Sequence, residues 1–257
     1  MSYDDVISRN WGFIDSELQQ KIRQSSILLA GCGLGSDIAM LATRIGFTRF
    51  TLADGDDVEH SNLNRQNYDL SHIGLNKAEA TGELIKAINP EVDLNIFSHF
   101  ITEADIDPLV AGADFIINMV DPGPVMYRIN QVAMSQGKTV LFPMNVGFGV
   151  ALFVFAPGSI TLEEMTGNSS SDEEFFLQLL EKVSSFLPDY LKERYTKLKE
   201  EIYQEGRPLP QLGIAAFLNA SLVVSTIVKA LSGLPLKLAP EPIVIDTWTA
   251  AGTGEVL

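Results

Sequence analysis

The chain is poor in cysteine, in basic residues and in long apolar runs. Its 257 residues include a single cysteine, Cys32, which excludes an internal disulfide or a zinc site built from cysteine pairs and fits a reducing cytoplasm. Eighteen Lys and Arg against 33 Asp and Glu give a net charge of −15, which would repel nucleic-acid phosphates. No apolar run approaches the roughly 20 residues that cross a membrane, and no signal segment is recognisable. We therefore expect a cytoplasmic protein without nucleic-acid or membrane partners.

An apolar strand, a glycine-rich turn and a helix follow one another near the start of the chain. Residues 27–30 are apolar without alternation, as in a parallel strand buried on both faces. Three glycines follow, at Gly31, Gly33 and Gly35. Residues 37–45 then carry apolar side chains at helical spacing, so the turn would bring backbone N–H groups and a helix N-terminus to a phosphate. A generic tight turn remains the alternative, because Ser36 stands where the strict G-x-G-x-x-G motif ends.

Charged residues downstream of the turn indicate the kind of nucleotide. A second strand, residues 50–53, ends at Asp54, about 20 residues beyond the last glycine, the spacing at which an acid binds ribose hydroxyls in dinucleotide folds. Arg65 and Lys77 are candidates to offset the charge of a triphosphate, which usually needs Arg, Lys and a metal ion. Taken alone, each could equally be a surface basic residue.

This part of the chain resembles the superfamily of ThiF, MoeB and the ubiquitin-activating enzymes. The resemblance rests on the glycine turn, on LADGDDV at 52–58 with SNLNRQ at 61–66, and on GLNK at 74–77. Those proteins adenylate a carboxylate, usually the C-terminal glycine of a small ubiquitin-like protein. The resemblance implies ATP-dependent adenylation of the C-terminal carboxylate of a ubiquitin-like protein or peptide, with release of pyrophosphate.

The resemblance also implies which residues hold the nucleotide. These would be Gly31, Gly33, Gly35, Asp54, Asp56, Asn62, Arg65, Gln66 and Lys77. By similarity, Asp54 would bind the ribose, while Asn62, Arg65 and Lys77 would bind the triphosphate.

Two further catalytic residues are implied in addition to Arg65 and Lys77. Residues 113–121 look like the family's strand ending in an acid, so Asp121 would bind Mg²⁺ near the reacting carboxylate. Arg9 looks like the arginine that reaches the ATP of the other subunit in a dimer. ATP, Mg²⁺ and a homodimer are therefore expected.

Several positions depart from the family pattern. Ala30 and Cys32 stand where its first two glycines usually lie, and a Cβ there could crowd a phosphate. Pro122 replaces the Asn that usually follows the metal-binding acid. The region 161–171 has no thioester-forming cysteine, and Cys32 fits a small packing residue better than a nucleophile, so an enzyme of this type should stop at the acyl-adenylate. A non-catalytic binding subunit of a heterodimer and, less favoured, an NAD-dependent oxidoreductase are the alternatives.

The predicted architecture is a single α/β domain, residues 1–257, with a Rossmann-like, mostly parallel sheet and helices on both faces. Residues 1–24 are expected to be helical. Residues 159–212 match the family least, and two apolar stripes at helical spacing, 175–186 and 190–203, predict a helical insertion in place of the zinc and crossover region. The second helix would touch the substrate or the dimer mate, or else both stripes simply pack on the core.

Overall fold

A computed structural model describes residues 2–167, 169 and 172–252. Across these residues the strands are β1 (Ser26–Ala30), β2 (Arg49–Ala53), β3 (Asp93–Phe97), β4 (Phe115–Asn118), β5 (Thr139–Val146), β6 (Gly149–Phe155) and β7 (Ile243–Asp246). The α-helices are α1 (Tyr3–Ile7), α2 (Ser16–Gln24), α3 (Gly35–Ile45), α4 (Lys77–Ile88), α5 (Glu103–Ala111), α6 (Pro124–Ser135), α7 (Leu162–Thr166), α8 (Asp172–Ser184), α9 (Asp189–Glu205), α10 (Gly213–Leu231) and α11 (Thr247–Ala250).

The strands form one sheet in the order β3-β2-β1-β4-β5-β6-β7. The pairs from β3 to β5 are parallel, whereas β6 and β7 add to the edge in antiparallel pairs. Because β1 lies between β2 and β4, the turn that leaves its carboxyl end is at the centre of the parallel part, where α/β proteins bind ligands. The predicted mostly parallel, Rossmann-like sheet is confirmed.

Both faces of the sheet are covered by helices, which explains why its strands do not alternate between apolar and polar residues. In β6, Phe153 and Phe155 lie in a core shared with α5, α6 and α8. Leu152 and Val154 lie in the opposite core, shared with α2, α3, α4 and α10. All four side chains are fully buried.

The N-terminal segment is not one helix, so that expectation is wrong. Residues 8–15 separate α1 from α2, and Gly12 adopts a positive φ of 89°. Asp15 caps α2 by accepting a hydrogen bond from the Leu18 backbone N–H at 2.8 Å. A capping aspartate and a left-handed glycine favour a break at this point over a continuous helix.

The predicted helical insertion is present as α7, α8 and α9, with Pro188 between the last two. On α8, Phe175, Leu179 and Val183 are buried in the core that also contains α5 and α6. The first apolar stripe therefore packs on the domain, and α8 and α9 together form a wall beside the carboxyl ends of β4 and β5.

Helix α10 is 19 residues long and apolar enough, by length and composition, to cross a membrane. The expectation that no apolar segment approaches that length is therefore wrong. Half of the helix is buried, and it packs on α3, β5 and β6, which is the position of a core helix in this fold.

Candidate active site

The glycine turn lies between β1 and α3 at the carboxyl edge of the sheet. Gly31 has a φ of 101°, and a Cβ there would lie 2.8 Å from the carbonyl oxygen of Met119 on the neighbouring strand end. This position therefore requires glycine. The N-cap residue of α3, Leu34, provides no side-chain hydrogen bond. The Ser36 N–H is already bonded to the Cys32 carbonyl at 3.1 Å, so an anion at this end of α3 would meet the neighbouring N–H groups and the positive end of the helix dipole.

The two residues that replace family glycines do not obstruct the turn. The side chains of Ala30 and Cys32 are both completely buried, so neither Cβ projects into the open side of the turn. Burial is also the main cause that raises the pKa of the Cys32 thiol well above its ordinary value. A buried thiol with a raised pKa is a poor nucleophile, which agrees with the interpretation of Cys32 as a packing residue.

Asp54 is fixed directly against this turn. One carboxylate oxygen accepts the backbone N–H of Cys32 at 2.6 Å, and the other accepts that of Asp56 at 2.9 Å. Burial raises the pKa of Asp54, and the two backbone hydrogen bonds oppose that shift. The structure thus places a carboxylate of fixed orientation directly beside the glycine turn.

Lys77 brings a nearly buried positive charge to the same place. It begins α4, it is 9% exposed, and its Nζ lies 3.0 Å from a carboxylate oxygen of Asp56. The sequence did not single out Tyr68, whose buried hydroxyl lies 2.7 Å from the Cys32 carbonyl oxygen, 3.1 Å from that of Lys77 and 2.9 Å from the Thr81 hydroxyl. This tyrosine joins the glycine turn to α4 and so fixes Lys77 relative to the turn.

Asn62 and Gln66 occupy different surroundings from each other. Asn62 is buried, and its side-chain oxygen accepts the backbone N–H of Glu59 at 3.0 Å, so it caps the short 3-10 turn in which it lies. Gln66 lies over the glycine turn: a Cβ on Gly33 would come within 3.0 Å of its Nε2. The Gln66 Oε1 is buried and has no hydrogen-bond partner in the described part of the chain.

Arg65 is held by neutral oxygens. Its guanidinium donates to the Ser61 carbonyl at 2.9 Å, to the Asn64 side chain at 2.8 Å and to the Gln211 side chain at 3.1 Å. Burial lowers its pKa. Because these three acceptors are uncharged, they leave the positive charge of Arg65 able to attract an anion. Gln211, which lies between α9 and α10, is a second residue that no sequence signal pointed to.

Asp121 was predicted to end a strand, but the observed strand stops before it. Strand β4 ends at Asn118, so Asp121 is on the loop that follows and not at the strand end. It lines a cavity that Leu34, the N-cap residue of α3, and Gln211 also line, so Asp121 and the start of α3 border the same cavity. Mg²⁺ is commonly bound by one carboxylate together with substrate phosphates, and Asp121 fits that requirement.

Arg9 is not near this site in its own chain. It is exposed, and the adjacent Asn10 donates a hydrogen bond to the Ile45 carbonyl at 2.9 Å, at the far end of α3. Helix α3 has 11 residues, or about 16 Å of length. The structure therefore brings together the glycine turn, Asp54 and Lys77, with Arg65 and Asp121 nearby, but not Arg9.

The chain is similar to known adenylyltransferases. A model of the ThiF family matches residues 7–256. The sulfur carrier protein ThiS adenylyltransferase of Escherichia coli K12 is 30% identical over 141 residues, which cover 54% of this chain and 56% of that protein. Ubiquitin-like modifier-activating enzyme 5 of Oryza sativa subsp. japonica is 32% identical over 142 residues, which cover 50% of this chain and 33% of that protein. The matches thus span between a third and just over half of those relatives.

Solved structures share the fold at lower sequence identity. PaaA superposes with a TM-score of 0.68 and 22% identity, covering 95% of this chain and 79% of that one. Escherichia coli MccB, in a crystal structure with ATP, superposes with a TM-score of 0.65 and 18% identity, covering 89% of this chain and 63% of that one. The relatives that the chain resembles include adenylyltransferases of sulfur-carrier proteins and activating enzymes of ubiquitin-like proteins. Because the family model spans nearly the whole chain, the chain belongs to the ThiF family.

Proposed function

We propose that this protein uses ATP and Mg²⁺ to adenylate the C-terminal carboxylate of a ubiquitin-like protein or a peptide. The observation that carries the proposal is the uncapped N-terminus of α3, with Asp54 fixed to the turn at 2.6 Å and the nearly buried Lys77 beside it. This arrangement suits a ribose joined to a highly charged phosphate chain. The names of its relatives as adenylyltransferases support ATP as the nucleotide.

Each residue of the site has a task in this proposal. Backbone N–H groups of the glycine turn would bind phosphate oxygens, and Asp54 would accept the ribose hydroxyls. Lys77 and Arg65 would offset charge on the phosphates, in competition with their present partners Asp56 and Gln211. When bound, Mg²⁺ held by Asp121 would neutralise further charge.

The reaction itself needs alignment and electrostatic stabilisation more than proton transfer. The substrate carboxylate is ionised at neutral pH, so it can attack the α-phosphorus without a general base. A new P–O bond forms to the carboxylate, the bond between the α-phosphorus and the bridging oxygen breaks, and pyrophosphate leaves with that electron pair. Lys77 and Arg65 would stabilise the negative charge that develops on the departing pyrophosphate.

The acyl-adenylate is the expected end product within this chain. Cys32 is the only cysteine, and it is buried with a raised pKa. We therefore propose that the chain forms no thioester and that a separate thiol or amine takes the acyl group.

The site is proposed to be completed by a second copy of the chain. Arg9 is exposed and remote from its own site, and Trp11 and Phe13 beside it are 77% and 97% exposed. Exposed aromatic residues next to a charged one are typical of protein interfaces. In a cytoplasmic homodimer, Arg9 of each subunit would face the phosphates bound by its partner.

Calorimetry with Mg-ATP and with NAD tests the nucleotide assignment. We expect ATP to bind, NAD not to bind, and Arg65→Ala to weaken ATP binding by at least tenfold, since a charge-assisted contact to phosphate is lost. Arg49→Ala is the matched control, because Arg49 is an exposed arginine at the start of β2, away from the carboxyl edge of the sheet. ATP binding without pyrophosphate exchange for any peptide would indicate a non-catalytic binding subunit, and preferential binding of NAD would contradict the proposal.

A further inference from the structure

A cavity of about 230 Å³ opens beside Asp121, between the ends of β4 and β5 and the helices α8 and α9. Its polar lining comes mainly from Asn118, Asp121, Asn145 and Gln211. The rest is almost entirely apolar and includes Phe142, Met144, Phe176, Leu180, Leu198 and Ile202. Because Leu34 and Asp121 are also part of the lining, the cavity adjoins the first turn of α3, where the phosphates are proposed to bind.

A second cavity, of about 440 Å³, lies along the first half of α9. Both cavities are lined by Asn145, Tyr195, Leu198 and Leu209, so they share a wall. The two cavities are therefore neighbours along α9, and the first is the one that Asp121 lines.

Two buried amide groups on the lining have unused hydrogen-bonding capacity. Asn118 is completely buried; its side-chain N–H₂ donates to the Met126 carbonyl and to Asn130, each at 2.9 Å, whereas its Oδ1 has no partner in the described chain. Asn145 accepts from Asn219 at 3.0 Å, and its own Nδ2 is likewise buried without a partner in that part of the chain.

Asn118 and Asn145 line a largely apolar cavity, and amide side chains can pair with the C=O and N–H groups of a peptide backbone. Their unpaired atoms are buried, as are the unpaired Nδ2 of Asn130 and Oδ1 of Asn219, so a ligand would pair with them when either amide rotates towards the cavity. The apolar walls between them match a side chain and not a charged group. The cavity is thus equipped for a segment of polypeptide that carries an apolar side chain.

We propose that this cavity binds a bulky apolar side chain at, or directly before, the C-terminal residue of the substrate. The inference rests on the proposed adenylation, because it is the position of Asp121 on the lining that puts the substrate carboxylate at the cavity mouth. The chain would thus act on a peptide with an apolar C-terminal segment, and a Gly-Gly tail would leave the cavity empty. Burying a leucine-sized side chain corresponds to about a 10- to 100-fold preference.

The test uses short synthetic peptides that share one polar sequence and end in Gly-Gly, Leu-Gly or Gly-Leu. Two readouts are taken with the full chain: ATP–pyrophosphate exchange, and peptide binding by calorimetry in the presence of a non-hydrolysable ATP analogue. At least one leucine peptide is expected to exceed the Gly-Gly peptide by 10- to 100-fold in affinity and in kcat/KM.

Substitutions on α9 distinguish the effect of filling the cavity from a general loss of helix or protein stability. Leu198 is half-buried and lines both cavities, so Leu198→Trp should fill the space and reduce the leucine preference at least tenfold without weakening ATP binding. Glu200→Trp adds the same side chain at an exposed position of α9 and should change neither readout. Leu198→Ala, which enlarges the cavity, should move the preference from leucine towards phenylalanine.

The outcomes distinguish this inference from the proposed function. Equal binding and exchange for Gly-Gly and leucine peptides would overturn the inference while leaving adenylation intact, and so would an equal loss for both peptides in Leu198→Trp. Failure of every peptide to bind would also overturn it. A clear leucine preference in binding without any exchange would uphold the cavity assignment and reject adenylation.

Discussion

Asp37, on the first turn of α3, is a buried carboxyl group whose ionisation should destabilise the fold. It is 3% exposed, and neither of its oxygens has a hydrogen-bond partner in the described part of the chain. Burial raises its pKa from the ordinary value of 3.8 to about 7. Because the folded state holds this proton to a higher pH than the unfolded state, stability should fall as the pH rises from about 4 through about 7.

The size of the effect follows from the two pKa values. A difference of about three pH units between the folded and unfolded pKa corresponds to about 4 kcal/mol. Asp37→Asn keeps the shape of the side chain but cannot ionise, so it should abolish this loss. We expect the stability advantage of the variant over wild type to grow from about 0.5 kcal/mol at about pH 4 to about 4 kcal/mol at about pH 8.

Urea unfolding at a series of pH values, followed by circular dichroism, measures this difference at matched m-values. Asp93→Asn is the control, since Asp93 is exposed at the start of β3, and its effect should be within about 0.5 kcal/mol throughout. The reasoning is refuted if the gap between Asp37→Asn and wild type is the same at both ends of the pH series.

Substitutions at three further positions test the contacts around the site. Gln211→Glu should weaken ATP binding by about tenfold, because the new carboxylate would neutralise the charge of Arg65. Calorimetry should show a smaller loss of affinity for Gln211→Ala, and an equal loss for the two variants would contradict the charge argument. Gly31→Ala should lower stability by about 1–3 kcal/mol, since its φ of 101° and the nearby Met119 carbonyl exclude a Cβ; unchanged urea unfolding would show that the turn can relax. Tyr68→Phe should lower the free energy of unfolding by about 1–2 kcal/mol, because it removes a buried hydrogen-bond donor, and it should also weaken ATP binding. A loss of stability with unchanged ATP binding would mean that the tyrosine does not hold Lys77 in place.

The parts of the fold that depend on local pattern could be predicted from the sequence. The helix that follows the glycine turn and the strands predicted at 27–30 and 50–53 lie within one or two residues of their predicted positions. These elements are defined by short-range signals, namely apolar periodicity and glycines. The end of β4 was misplaced because the apolar run continues two residues past the last paired residue, Asn118.

The residues that sequence reasoning missed are those defined by long-range contacts. Gln211 lies 146 positions from its partner Arg65, and no local pattern connects the two. No local sequence pattern distinguishes Tyr68, because its hydroxyl reaches the glycine turn and α4 only in the folded chain. The cavity beside Asp121 arises only when α8 and α9 fold back over β5. The sequence could therefore predict that the glycine turn, Asp54 and Lys77 lie together, because they belong to one contiguous motif, whereas it could not predict the cavity.

The proposed ATP site and the proposed peptide cavity are formed mainly by different segments of the chain. Apart from Arg9 of the other subunit, the groups proposed to bind ATP lie between Gly31 and Asp121, whereas α8 and α9, which wall the cavity beside Asp121, lie within residues 172–205. Insertions, deletions or swaps of that later segment should change which peptide fits the cavity while leaving the proposed ATP site unchanged. The hydrogen bond from Arg65 to Gln211 joins the proposed ATP site to the loop that follows α9, so an engineer who grafts a new helical wall onto this scaffold should retain that pair.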